Sequence, residues 1–272
     1  MRNLLLSFLA ILALQGCRMY GYQPSILRNP VVDSAGKAEI AASVGPTVLT
    51  HAATAVQYSP VQHLLIGGHA AGYFRFDLRN SDDYFFFSQN YQNYTRTGFS
   101  GGLNAGYYTK GRTATLYLQG GTDMELIRRT YTEIESFTDT NGQDRTDYPV
   151  ARYSARVTYM KPWVQASLRL TDPRASHAKG AFIMGLRVSY FMQMQKDFSY
   201  RETSSYQTAR DYPQPTQDYI LTEGYVGGEV NFHPLVVSLR LQARLNGAFN
   251  AWWYSPLVYA NLGLTYQFGS GR

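Results

Sequence analysis

Five histidines and nineteen carboxylates are the groups in this 272-residue chain that could carry acid–base or metal chemistry. Their spacing assembles neither. No histidine pair stands at metal-ligand spacing, and no phosphate-cradling or dinucleotide-binding glycine loop occurs. No serine and histidine can be grouped with a supporting acid, so the chain reads as a non-enzymatic protein without a metal or small-molecule cofactor. The single cysteine, Cys17, rules out an internal disulfide. What remains is electrostatic chemistry. Lys37, Glu39, His69, Arg75, Asp77, Asp123, Glu125, Arg169, Arg187, Glu229, Arg240 and Arg244 fall on the polar side of stretches whose alternate positions are apolar.

Alternation of two is the period that would position them. In a strand, successive side chains point to opposite faces. Residues 261–268 put Leu262, Leu264, Tyr266 and Phe268 on one face and Asn261, Gly263, Thr265 and Gln267 on the other. The same period runs through ten segments, at 37–45, 51–58, 63–78, 97–108, 113–127, 153–170, 181–195, 219–232, 235–246 and 257–268. The seventh is among the clearest, with Phe182, Met184, Leu186, Val188, Tyr190, Met192 and Met194 opposite Arg187, Ser189, Gln193 and Gln195. After Leu14 no apolar run approaches the ~20 residues that a membrane helix needs. Long apolar rows backed by charged rows predict an all-β fold, an antiparallel transmembrane β-barrel of about ten strands. A soluble β-sandwich could show the same alternation; the length of the apolar rows, the charge of the opposite rows and the loop-by-loop alternation of connection lengths weigh against it.

One segment breaks the pattern. Tyr153, Ala155, Val157 and Tyr159 are odd-numbered, whereas Val164, Ala166, Leu168 and Leu170 are even. Either one strand carries a bulge at Pro162, or two short strands meet there. Bacterial single-chain barrels have even strand counts, which favours the bulge and ten strands over eleven.

Connections alternate in length. Residues 59–62, 109–112, 171–180 and 233–234 are short turns, and residues 79–96, 128–150 and 196–218 are long and polar. Short periplasmic turns and long outer loops are the barrel arrangement. That map sets His63, His177 and His233 beside periplasmic turns, His51 near an outer turn, and His69 at mid-depth as a hydrogen-bonded lumen residue. Tyr84, Phe86, Tyr91 and Tyr94 in the first long loop, and Tyr206 and Tyr212 in the third, are candidate contacts for a partner protein or glycan. Trp252, Trp253 and Tyr254 suit the membrane interface.

Both ends of the chain carry an address. Residues 4–14 form an eleven-residue apolar run behind Arg2, too short to span a bilayer. Leu14-Gln15-Gly16-Cys17 resembles a lipobox, which implies a signal peptide over residues 1–16 and a covalent lipid on Cys17. Asn261, Gly263, Tyr266 and Phe268 resemble the C-terminal insertion signal read by the barrel-assembly machinery of bacterial outer membranes, with a four-residue tail, 269–272, beyond it. Together these features resemble the lipid-anchored outer-membrane β-barrel proteins of Bacteroidota. No acidic run follows Cys17, so the resemblance implies an anchor in the periplasmic leaflet, with loops extracellular. Residues 17–36, with Pro24 and Pro30, read as an extended lipidated tether, and residues 37–268 as the barrel.

The formal net charge is +6, with no Lys/Arg cluster, so no nucleic-acid footprint is present. Charges of both signs in a narrow lumen are expected to pair across it. The expectation is therefore a side-chain-filled barrel acting as a structural or accessory subunit of a larger envelope complex. A narrow solute channel and a loop-based adhesin or receptor are the alternatives.

Overall fold

The alternation is realised as ten antiparallel strands: β1 (Ala38–Pro46), β2 (Thr50–Tyr58), β3 (Leu64–Phe76), β4 (Tyr91–Lys110), β5 (Ala114–Thr138), β6 (Arg145–Thr171), β7 (Lys179–Glu202), β8 (Tyr219–Asn231), β9 (Leu235–Asn246) and β10 (Val258–Phe268). The computed structural model describes residues 30–46, 50–76, 91–138, 145–171, 179–202, 219–246 and 258–269. Each strand pairs with its sequence neighbours, and β1 pairs with β10 from Ala38↔Phe268 to Val44↔Leu262, which closes the barrel. Closure leaves no sheet edge in the wall, a condition of spanning a bilayer with strands.

The two faces sort by chemistry. Leu103 is 76% exposed, and Leu118, Val164, Phe182, Val226 and Leu262 are likewise exposed. Their chain neighbours Asn104, Gln119, Gln165, Ile183, Tyr225 and Asn261, on the opposite face, are buried. An apolar exterior around a buried, largely polar interior is that of a transmembrane barrel.

β6 is one strand, so the count is ten, but the reason differs from the bulge at Pro162. Pairing with β5 runs unbroken through Thr122↔Pro162. The register shift falls between Thr158 and Tyr159 against β7, where Gln195 and Gln193 are the partners and Met194 is the extra residue. The row Val157, Tyr159, Lys161, Trp163, Gln165 is buried throughout. The apparent flip of phase is an apolar patch facing the lumen: Val157 and Tyr159 pack there with Ile127, Phe191 and Leu221.

The long outer connections are also shorter than their sequence suggests. β4 to β7 are 20, 25, 27 and 24 residues long, against 9 to 13 for the other six strands. A spanning strand needs about 9–11 residues, so these four extend well beyond their neighbours at the end opposite the short turns. Much of the expected loop 128–150 is ladder, continuing to Thr138↔Arg145. Residues 91–96 and 196–202 are likewise strand. Beyond the membrane neither face must be apolar, so the period that marks a strand inside the bilayer is lost.

Residues 30–36 depart from an extended tether. Val31 and Val32 are buried at 2% and 0% exposure. Val32 packs with Leu65, Tyr108 and Tyr117 at the short-turn end of the lumen. Gly36, at φ 76°, turns the chain over the rim, where its N–H donates to the Ser59 carbonyl at 2.8 Å.

Candidate functional site

The lumen is where the charged rows converge. At its short-turn end the Glu39 carboxylate accepts hydrogen bonds from the backbone N–H groups of Val31 (2.7 Å) and Val32 (3.1 Å). These donors belong to no ladder, and a carboxylate is the strongest acceptor available to them. Asp33 accepts from Lys110 and from Lys37 across the rim. Burial raises the Asp33 carboxyl, and the two ammonium groups outweigh that effect and hold it below the ordinary aspartate range. Just inside, Arg169 Nε donates to Glu229 Oε2 at 2.9 Å, and Arg240 Nη2 lies 3.9 Å from Glu229 Oε1.

Asp123 is the hub of the next layer. Trp163 Nε1 donates to its Oδ1 at 2.7 Å, and His69 Nε2 lies 3.3 Å from the same oxygen. Lys161 Nζ sits 3.4 Å from Asp123 Oδ2 and 3.3 Å from Glu125 Oε2. One ammonium thus bridges two carboxylates, with the Phe191 ring centroid 5.2 Å away. Arg187 lies flat over the Trp163 ring, 4.0 Å from its centroid, and donates from Nε to Gln165 Oε1 at 3.0 Å. Glu223 accepts from Gln242 at 3.2 Å. Buried charges survive when paired and hydrogen-bonded, and most of this network meets that condition.

Glycines make the room. Gly102, Gly121 and Gly227 stand directly across the ladder from Asp123, Trp163 and Arg240. A Cβ at any of the three would collide with the partner strand. The space left is a cavity of about 30 Å³ on the side of β1 to β3, where Ala41, Ser43, Ala53 and Ala55 are small. Pro30 forms part of its lining.

His69, Asp123, Glu125, Arg187, Glu229 and Arg240 therefore meet inside the barrel. Arg75 and Arg244 lie in β3 and β9, and their side chains are outside the described residues, as Asp77 is altogether. Tyr91 and Tyr94 fall in β4 with side chains not described, while Cys17, Tyr84, Phe86, Tyr206 and Tyr212 lie outside the described residues. Of the C-terminal set, Asn261 and Gly263 face inward, and Tyr266 and Phe268 are exposed with rings 6.2 Å apart. Lys161, Glu223 and residues 30–32 also belong to the lumen and were not among the candidates expected from the sequence. Lys161 shares the parity of Gln165 and Arg169 and was legible from that. The burial of Val31 and Val32 had no periodic signal. Among the described residues no group of three His, Cys, Asp or Glu side chains could hold a metal ion.

No protein-family model and no curated protein matches the chain. Solved structures similar to it include LpxR from Salmonella typhimurium (8% identity, TM-score 0.41, covering 85% of this chain and 99% of that one). The outer membrane protease OmpT from Escherichia coli is similar at 10% identity and TM-score 0.43, covering 86% of this chain and 94% of its own. The N-terminal β-barrel domain of Pseudomonas aeruginosa OprF is similar at 10% identity and TM-score 0.27, covering 86% and 99%.

Proposed function

We propose that this chain is a non-enzymatic, lipid-anchored barrel of the outer membrane that serves as a structural or accessory subunit of a larger envelope complex. The observation that carries the reading is the filled lumen. Ion pairs, aromatic rings and residues 30–32 occupy the space that an open pore would need. The tall wall of β4 to β7 offers outer-side surface for an envelope protein partner. In this reading the lipid on Cys17 holds the periplasmic side, residues 261–268 direct insertion by the barrel-assembly machinery, and the connections above β4 to β7 are extracellular. A barrel alone is effectively irreversible in the membrane, so a lipid adds little anchoring. Its value lies in positioning the periplasmic segment during assembly or docking.

Purification from native membranes in mild detergent, followed by mass spectrometry of co-purifying proteins, tests this. A stoichiometric envelope partner is expected. A solitary barrel recovered across several mild detergents would overturn the accessory role and favour channel or surface-binding readings.

A further inference from the structure

We propose that the lumen contains a binding site for a small inorganic anion, formed between Arg187 and Arg240 and reached from the periplasmic mouth past residues 30–32. The lumen buries several carboxylates, yet none of them lines the cavity; its charged and titratable wall is Arg187, Arg240 and His69. Rings of arginine are how anion pores select their ions. Arg187 is 3% exposed, and its Nη1 has no hydrogen-bond partner among the described residues. Its cross-strand neighbour Glu223 accepts instead from Gln242. A guanidinium cannot shed its proton, so a buried one needs an acceptor for each N–H as well as opposite charge nearby, and among the described residues Nη1 is left without an acceptor. The cavity, about 30 Å³, exceeds the roughly 10–15 Å³ that a single water needs, which leaves room for a small anion such as a halide.

Access is set by the N-terminal segment. Pro30 lines the cavity, and the segment is held not by strand pairing but by side chains: Glu39 accepts from two of its backbone N–H groups, Gln267 donates to the Val31 carbonyl, and Lys37 and Lys110 hold Asp33. Weakening those bonds opens the route without touching the arginines. The inference is independent of any protein partner, so a solitary barrel would leave it standing.

Trp163, against Arg187, is the built-in reporter. The chain has three tryptophans, so a Trp252→Phe/Trp253→Phe variant in detergent micelles emits from Trp163 alone. Iodide at constant ionic strength is expected to quench it saturably, chloride and nitrate to compete, and caesium to do nothing. Arg187→Gln is expected to abolish the saturable phase and Arg187→Lys to retain it. Glu39→Gln is expected to speed the stopped-flow onset about tenfold, the factor for losing one charge-assisted hydrogen bond. Quenching that is absent, purely collisional, or unchanged in folded Arg187→Gln would overturn the site. If Arg187→Gln does not fold, failure of chloride to compete in the parent would do so. An unchanged onset in Glu39→Gln would overturn the route of access.

Discussion

Gly185 stands directly across the β7–β8 ladder from Tyr225, and the Tyr225 ring lies where a Cβ of residue 185 would be. The ring is laid down over the neighbouring strand and packs against Ile183. Gly102 with Asp123, Gly121 with Trp163 and Gly227 with Arg240 repeat the relationship. A large inward side chain on one strand is matched by a missing one on the next. A barrel of ten strands is filled this way without strain.

Gly185→Val therefore forces Tyr225 off its seat. The cost expected is about 1–3 kcal/mol, the usual range for overpacking a filled interior. Gly180→Ala is the control, since its nearest neighbour is the Glu229 carbonyl at 4.0 Å, and a change within about 0.5 kcal/mol is expected. Urea unfolding in lipid vesicles, followed by heat-modifiable gel mobility, reads both. Equal stability of Gly185→Val and the parent would refute the packing role.

Lys161 joins Asp123 to Glu125, and all three are buried. Lys161→Met removes the ammonium that Asp123 and Glu125 share and is expected to cost about 3–5 kcal/mol, as for breaking a buried pair. Asp123→Asn alone leaves the Lys161–Glu125 pair and costs less. Because the groups share one network, the double variant is expected to be less damaged than the sum of the singles. The same unfolding assay measures the cycle, and additive losses would show that the bridge carries no coupling.

The bilayer-facing part of this fold was legible because lipid on one side and packed polar groups on the other impose a period of two. Row after row from Ala38 to Phe268 obeys it, and the charged residues of the lumen follow by parity. Legibility ended where the physical contrast ended. Val157 and Tyr159 face the lumen, so an apolar residue there mimics a lipid-facing one and shifts the apparent phase. Above the membrane no lipid imposes a period, and the ladder from Ile134↔Pro149 to Thr138↔Arg145 has no alternation to betray it. Residues 30–32 are fixed by two backbone N–H groups meeting the Glu39 carboxylate, a contact with no sequence period at all. The glycine partners were visible as composition, but only register shows which long side chain each one admits.

Asp33 makes the seating of the N-terminal segment depend on pH. Its carboxyl is held below the ordinary aspartate value by Lys110 and Lys37 against the opposing effect of burial. A depressed folded value means the contribution is present above the unfolded-state value and lost as pH falls through the lowered one. Neutral and mildly acidic solutions should leave the segment seated, and strongly acidic ones should release it. Val32→Cys in a Cys17→Ser background, labelled with a small thiol reagent stable in acid, is expected to be protected at neutral pH and reactive only at strongly acidic pH. Adding Asp33→Asn should bring that reactivity to neutral pH. Equal protection with and without Asp33→Asn would remove Asp33 from the lock.

Position along a strand decides what a new charge costs. Val164 is 59% exposed on the outer face of β6, paired with Gly120 of β5 and Val188 of β7. If lipid covers that face, Val164→Arg costs about 2–4 kcal/mol, the range for a cation near the bilayer midplane. Gln195, exposed in the outer extension of β7, lies beyond the length a spanning strand needs. Gln195→Arg is accordingly expected to cost only about 0–1 kcal/mol, the interfacial range. Folding yield into vesicles and urea midpoints give the two numbers. Equal costs at the two positions would mean that the bilayer does not sit on the short part of the wall, and the assignment of β4 to β7 as an outer-side extension would fall with it.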